Sequence, residues 1–301
     1  MLDSAGVSFD YVKEITVESY APLIERADGL VIRTQPLTKS IIDRAERLQI
    51  VSRHGVGFDA VEVAALNERR IPLCIVGDVN SVSVAEQAMM LILGCAKRAR
   101  RAHHAVSADW NWRNRMEAGE ISGKRLLILG YGRAGRHLAR MAAGFGMTVA
   151  AYDPPLARAG WPEGAVMRVD DLKAGLAAAD VVSVHMPKGD GAVIGAAELA
   201  AMKPSAILVN TARGGIVDES ALLDALQSGR LAAAGLDVFE QEPPDPDHPL
   251  FKLDQVITSP HIAGLTAESA ERMAISSVQN VLDFFAGRLD PALIVNRNFG
   301  R

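Results

Sequence analysis

The sequence predicts an α/β protein of two doubly wound parallel-sheet domains, and three observations carry that prediction. Short β-like runs alternate with helical patterns through the first part of the chain. A glycine-rich turn then joins an apolar run to an amphipathic stretch, and a second apolar run follows it and ends in a carboxylate. Further apolar runs recur toward the C-terminus, each followed by polar residues. Strands alternating with helices imply a parallel sheet covered on both faces.

In order, the β-like runs of the first part are Val7–Val12, Leu30–Arg33, Ile50–Arg53 and Leu73–Val76. Helical patterns at Tyr20–Ala27, Lys39–Arg47 and Ala60–Arg69 separate them. Short apolar runs bounded by turn residues favour strands, whereas apolar residues three and four apart favour helices. A long helix is predicted over Ser83–Arg101, then a polar and aromatic arm, Asp109–Gly119, with Trp110 and Trp112. The second part opens with a strand at Lys124–Leu129, a helix at Arg136–Phe145 and a strand at Met147–Tyr152. Its further strands are Val181–His185, Ala206–Asn210, Ala233–Asp237 and Val256–Thr258, and a last helix spans Ala267–Ala286. We therefore expect one domain over residues 1–98, a second over 99–266 inserted into it, and a return to the first over 267–301.

Composition narrows the function classes. The 301 residues are 49% hydrophobic and 23% charged, a globular balance with room for two cores. A formal net charge of −4 offers no reason to expect nucleic acid or an anionic membrane as partner. Lys97, Arg98, Arg100 and Arg101 form the one basic cluster, read as a solvated face. Cys74 and Cys95 lie in apolar runs and read as reduced core residues. No basic leader with an apolar core opens the chain and no apolar run is long enough to span a bilayer, so a cytoplasmic protein is expected.

The glycine turn is the most specific local signal. Gly130-Tyr131-Gly132-Arg133-Ala134-Gly135 follows a strand, opens a helix, and is succeeded by a strand ending at Asp153. That is the Rossmann dinucleotide fingerprint in its required context. Gly130 permits the tight turn, Gly132 lets backbone amides approach a pyrophosphate, and Gly135 lets the helix pack on the sheet. The helix N-terminus favours phosphates. Asp153 suits the ribose hydroxyls and would repel a 2′-phosphate, so NAD is expected rather than NADP.

Ligands of open α/β sheets bind beyond the carboxyl ends of strands. Three segments there carry chemistry suited to hydride transfer: Asn210-Thr211-Ala212-Arg213-Gly214-Gly215, Asp237-Val238-Phe239-Glu240-Gln241-Glu242-Pro243, and Ser259-Pro260-His261. Histidine, with its pKa near working pH, can exchange the proton that accompanies a hydride.

With the glycine turn, these spans resemble the D-2-hydroxyacid dehydrogenase family, whose members include D-3-phosphoglycerate dehydrogenases and glyoxylate and hydroxypyruvate reductases. Two earlier stretches also match it, His54-Gly55-Val56-Gly57-Phe58-Asp59 and Asn80-Ser81-Val82-Ser83-Val84-Ala85-Glu86. The resemblance implies a Rossmann NAD-binding domain inserted into a flavodoxin-like substrate domain. It makes His261 the acid–base group, Glu242 its hydrogen-bond partner, and Arg213 the group that polarises the carbonyl and holds the carboxylate. Glu240 is the competing carboxylate, but the family places the role directly before proline. To Gly130, Tyr131, Gly132, Arg133, Ala134, Gly135 and Asp153 as cofactor residues it adds Val84, His185, Thr211, Ala212, Arg213, Asp237, His261 and Gly264. Asp237 would accept from the nicotinamide amide. The substrate set is Arg33, His54, Gly55, Val56 and Gly57, with Arg213 and His261.

Some positions keep two readings. His54 contacts substrate or stabilises its turn, His185 lines the cofactor crevice or caps its strand, and Arg33 meets an anionic tail or solvent. His103, His104, His137 and His248 read as surface residues, and no metal site is expected. Partners expected from the resemblance are a small 2-hydroxy or 2-oxo acid and a second copy of the chain, through the long helix and the arm after it. The family normally has a strand and helix before the stretch resembling Gly6–Phe9. The numbered chain is therefore expected to be N-terminally truncated, or to fill that gap with another segment. Lys188-Gly189-Asp190-Gly191 departs from the family's Leu-Thr loop, which is expected to alter cofactor affinity. Feedback through an appended regulatory module is not expected. The leading function is an NAD-dependent dehydrogenase of small D-2-hydroxy acids. The alternatives are an NAD(H)-sensing corepressor-like protein and a formate- or phosphite-type dehydrogenase.

Overall fold

In the computed structural model, residues 1–164 and 166–296 are described. The chain divides into two compact units, one of Met1–Asn80 with the segment from Ala267 onward, the other of Ser81–Thr266.

Unit 1 holds a parallel sheet of β1 (Gly29–Ile32), β2 (Ile50–Arg53) and β3 (Leu73–Cys74), in that order. Helices α1 (Val17–Tyr20), α2 (Lys39–Arg44) and α3 (Val63–Glu68) are short. The helix expected over Tyr20–Ala27 is instead α1 followed by a 3₁₀ stretch, Ala21–Arg26. Pro22 has no N–H to give to the α ladder there. Residues Val7–Val12 form no strand. Their alternation has the period of a strand, but the ladder of β1 is made with β2, and Phe9 and Tyr11 stand exposed. The last helix, Ala267–Phe285, lies on this sheet. Asn280 Nδ2 donates to Ser52 Oγ on β2 at 3.3 Å, and a Cβ on Gly29 would come within 2.9 Å of Val281 Cγ1. The segment after it returns antiparallel along β3, with Ile75 N donating to Leu293 O and Val295 N to Leu73 O.

Unit 2 begins with α4 (Ser81–Ala96) and α5 (Ala99–Ala108). The single helix expected over Ser83–Arg101 breaks at Arg98, whose φ is +53°. The second compact unit begins at Ser81, whereas the expected first domain ran to residue 98. The physical reason is packing: Ala85, Ala88, Leu91 and Ile92 of α4 are buried in the core of this second unit. The basic cluster at the break stays largely exposed, as expected of a solvated face, and also makes contacts within the unit. Arg98 donates to Ala232 O at 2.8 Å, Arg100 to Leu253 O at 3.1 Å, and Arg101 pairs with Asp254 at 3.6 Å. The arm after α5 contains a 3₁₀ turn, Trp110–Arg115.

A parallel seven-stranded sheet follows, in the order β10-β9-β8-β7-β4-β5-β6. It comprises β4 (Arg125–Leu129), β5 (Thr148–Tyr152), β6 (Met167–Arg168), β7 (Val181–Val184), β8 (Ile207–Asn210), β9 (Ala233–Leu236) and β10 (Val256–Thr258). The connecting helices are α6 (Arg133–Gly144), α7 (Pro154–Ala159), α8 (Leu172–Ala178), α9 (Ala196–Ala201) and α10 (Glu219–Gln227); the last helix of the chain is α11. Successive side chains of a strand face opposite ways. Leu127 and Leu129 accordingly enter one core cluster, and Leu126 and Ile128 another on the opposite face. Strand order reverses at β4, the switch point where such sheets take their ligands.

Candidate active site

One register row crosses this sheet: Tyr152, Leu129, Val184, Asn210, Leu236 and Thr258 are successive partners. The residues that follow them are Asp153, Gly130, His185, Thr211, Asp237 and Ser259. The carboxyl edge of unit 2 therefore gathers groups that are far apart in sequence.

At the switch point Gly130 has φ +94°, and a Cβ on it would lie 2.8 Å from the backbone carbonyl of His185. Gly132 is different. Its backbone is extended at φ −77°, and a Cβ there would meet nothing within 4 Å. The fold has no internal need for glycine at that position; the open approach is what a pyrophosphate requires. Arg133 and Ala134 open α6. Asp153 borders the turn: Tyr131 N donates to its Oδ2 at 2.9 Å and Leu156 N to its Oδ1 at 3.0 Å. The Tyr131 ring stacks on Trp161 at 5.6 Å between centroids, with the Arg136 guanidinium on the Tyr131 ring. His185 shares a hydrogen bond with Ser183 Oγ at 2.8 Å, and burial lowers its pKa to about 4, so the ring is neutral. Thr211 Oγ1 is buried without a hydrogen-bond partner among the described residues. An orphan hydroxyl, an unobstructed glycine and a carboxylate at the second strand's end fit a dinucleotide.

The reactive groups leave the adjacent strands β8, β9 and β10. Asn210 shapes the first loop, with Oδ1 accepting from Ala212 N at 3.0 Å and Nδ2 donating to Arg213 O at 2.9 Å. A Cβ on Gly214 would fall 1.7 Å from Phe239 O, so the Arg213 loop runs against the backbone of the Glu242 loop. Gly214→Ala should accordingly lower thermal stability by at least 1–3 kcal/mol, since backbone rather than a mobile side chain must yield. A wild-type melting temperature would show that the two loops separate freely.

His261 has φ +52°, rare for a residue with a Cβ. Asp237 holds that turn. Its carboxylate accepts from Ser259 Oγ at 2.5 Å, Ile262 N at 3.0 Å and Ala263 N at 2.8 Å, and its carbonyl accepts from His261 N at 2.7 Å. Burial raises the Asp237 pKa while these donors oppose the shift. Gln87 of α4 donates to Ser259 Oγ at 2.8 Å, and Val84 lies one turn earlier on that helix. Gly264 follows the bonded turn. Gln87 carries no mark in the sequence, whereas Ser259 opens the Ser259-Pro260-His261 segment already singled out.

His261 Nδ1 lies 2.6 Å from Glu242 Oε2, while Glu242 Oε1 accepts from Phe239 N at 3.0 Å. Glu240 turns elsewhere: its Oε1 accepts from Glu219 N. The carboxylate on His261 is thus Glu242. A carboxylate only accepts, so Nδ1 carries hydrogen and Nε2 is left to exchange a proton. One expectation is corrected here: His248 is not a free surface residue. Its Nε2 lies 3.3 Å from Glu219 Oε2, with side chains 22% and 13% exposed.

In unit 1, Arg33 stands exposed past β1 and Arg53 ends β2. His54 has its pKa lowered by burial first, then by the charges of both arginines. Its Nδ1 is buried with no hydrogen-bond partner among the described residues. Gly55 has φ +146°, and Val56 and Gly57 continue the loop half-buried. Among the described residues no group of three or more His, Cys, Asp or Glu could hold a metal ion, and no helix is long and apolar enough to cross a membrane.

The family model described as D-isomer specific 2-hydroxyacid dehydrogenase, NAD binding domain, matches residues 89–263. The chain belongs to this family. NAD is the cofactor of the matched domain. The D-3-phosphoglycerate dehydrogenase of Methanocaldococcus jannaschii is 39% identical over 86% of this chain and 50% of its own length. The glyoxylate reductase of Korarchaeum cryptofilum is 36% identical over 95% of this chain and 89% of its own. Among solved structures, D-lactate dehydrogenase from Aquifex aeolicus, complexed with NAD and lactic acid, aligns with a TM-score of 0.79 at 28% identity, covering 93% of this chain and 90% of that one. The chain spans about half the length of the phosphoglycerate dehydrogenases it matches.

Proposed function

We propose that this dehydrogenase-family chain moves a hydride between NAD and a small D-2-hydroxy acid, and runs as a 2-oxoacid reductase when NADH is abundant. The single observation that carries the reading is the 2.6 Å contact of His261 Nδ1 with Glu242 at the carboxyl edge of the NAD-binding sheet. NADH, when bound, supplies the hydride that reaches the carbonyl carbon. Protonated His261 gives its Nε2 proton to the carbonyl oxygen and becomes neutral, with Glu242 holding Nδ1 and so aiming Nε2 at the substrate. Arg213 holds the substrate carboxylate through its planar fork and draws charge onto the carbonyl oxygen.

A proton donor distinguishes this chemistry from formate oxidation, which releases a hydride and CO2 and no hydroxyl proton. Arg33, His54 and the Gly55–Gly57 loop are the proposed substrate side of unit 1, where two arginines around one histidine favour an anionic substrate. NADH absorbance should fall with at least one of glyoxylate, hydroxypyruvate, pyruvate and phosphohydroxypyruvate. Silence across that panel with tight NADH binding would favour a sensor instead. A cytoplasmic homodimer is proposed as well. Exposed Met90, Val106, Trp110 and Met116 along α4, α5 and the arm support the dimer. Sedimentation as a monomer would reject it.

Asp153 sets cofactor choice in this reading. Asp153→Ala should weaken NAD binding and relax discrimination against NADP, because the charge that repels a 2′-phosphate is gone. It also removes the acceptor for Leu156 N at the start of α7, a loss of about 1 kcal/mol. Asp153→Asn keeps an acceptor without the charge and should relax discrimination with less loss of stability. Unaltered NAD/NADP preference in both variants would refute the role.

A further inference from the structure

We propose that Glu219 and His248 form a positioning latch that fastens the loop carrying Glu242 to α10, the helix that follows the Arg213 loop. The inference rests on the catalytic roles proposed above for Glu242 and His261; neither latch residue touches His261 in the structure.

Glu219 is the first residue of α10. Its Oε1 accepts from Glu240 N at 2.6 Å, and its own N donates to Glu240 Oε1 at 3.0 Å, a reciprocal pair between the helix start and the loop. The other oxygen faces His248. Nδ1 of His248 accepts from Leu250 N at 3.4 Å, which places the ring hydrogen on Nε2, toward Glu219. The His248 ring lies 5.4 Å from Phe251, and Phe251 meets Phe239 edge-on at 5.5 Å. Phe239 and Glu240 are thus gripped by side-chain packing and by backbone hydrogen bonds together.

Phe239 N is also the donor that holds Glu242 Oε1 and leaves Oε2 for His261. Displacement of residues 239–240 would therefore be felt at the Glu242–His261 contact, where charge-assisted hydrogen bonds depend steeply on geometry. The charged groups around Glu219 are Glu240, His248 and Glu242, and burial holds its carboxyl above the ordinary range. Around His261 they are Glu242 and Asp237. An exposed glutamate at a helix start needs no such surroundings; this one is 13% exposed and has a partner on each oxygen.

The test is proton NMR of the His261 Nδ1–H in the full chain, whose hydrogen bond to Glu242 moves its resonance downfield, alongside steady-state kinetics with the most active oxoacid. Glu219→Ala should move that resonance upfield, toward an imidazole without a carboxylate partner, as Glu242 loses its fixed position. It should also reduce kcat on the order of tenfold with KM little changed. Glu219→Gln, whose carbonyl can still accept from Glu240 N, should recover most of both. His248→Phe keeps the ring packing and should move the resonance the same way by less, which serves if Glu219→Ala does not fold. In a Glu242→Gln background, Glu219→Ala should move the resonance no further. A wild-type resonance in Glu219→Ala, or an equal change without Glu242, would overturn the latch. The measurement needs no turnover, so a chain inactive on every oxoacid would sink the dehydrogenase reading and leave the latch to be judged on its own.

Discussion

Alanine in place of His261 is expected to cut oxoacid reduction by roughly 10²–10⁴-fold while NADH binding stays nearly intact. The loss follows from geometry. With Nδ1 occupied by Glu242 at 2.6 Å, Nε2 is the ring atom left to give the carbonyl oxygen its proton. Without it the alkoxide must wait for water. Cofactor affinity should survive, because the features that suit the dinucleotide are the Gly130–Gly135 turn, Asp153 and Thr211, and Asp237 still accepts its three side-chain bonds. Turnover measured under single-turnover conditions, with NADH binding followed by fluorescence, separates the two effects. Unchanged turnover would remove His261 from the chemistry. A comparable loss of NADH affinity would mean that the turn at φ +52° collapses when the imidazole is gone.

Arg213→Lys should be nearly as damaging. Lysine keeps the charge but replaces a planar fork by a point ammonium, so the two parallel bonds to a carboxylate become one. The expected loss is about 2–3 kcal/mol of transition-state binding, on the order of 10²-fold in kcat/KM. Both KM and kcat should suffer, since the same guanidinium is assigned substrate binding and carbonyl polarisation. The Arg213 backbone is held independently, through Asn210 Nδ2 at 2.9 Å and the Gly214 contact with Phe239, so loop structure should persist. Wild-type kinetics would reject the role, and a rise in KM alone would confine Arg213 to binding.

Much of this was legible in the chain. The Gly130–Gly135 turn declared itself because its function depends on local backbone geometry, and local geometry is written in adjacent residues. All seven strands of unit 2 except β6 were marked by apolar runs; the two residues of β6, Met167 and Arg168, are both exposed and leave no such trace. Where reading failed, the missing information was a partner. Val7–Val12 has the alternation of a strand, but pairing needs a neighbouring backbone that sequence period does not supply. The apolar face of the long helix says that it is buried, not against what.

The parallel α/β architecture and the dinucleotide turn can be read from short-range spacing, and the loops carrying Arg213, Glu242 and His261 from their place after strands together with the family resemblance. Folding in three dimensions shows what holds each group: Glu242, the partner the resemblance named, reaches the imidazole while Glu240 is tied to the start of α10, Asp237 braces the His261 turn, and half-buried His248 pairs with Glu219. The reason is physical. Two carboxylates two residues apart are equivalent in composition, and only the fold of the loop, with one tied to a helix start and the other left to turn toward β10, separates their directions.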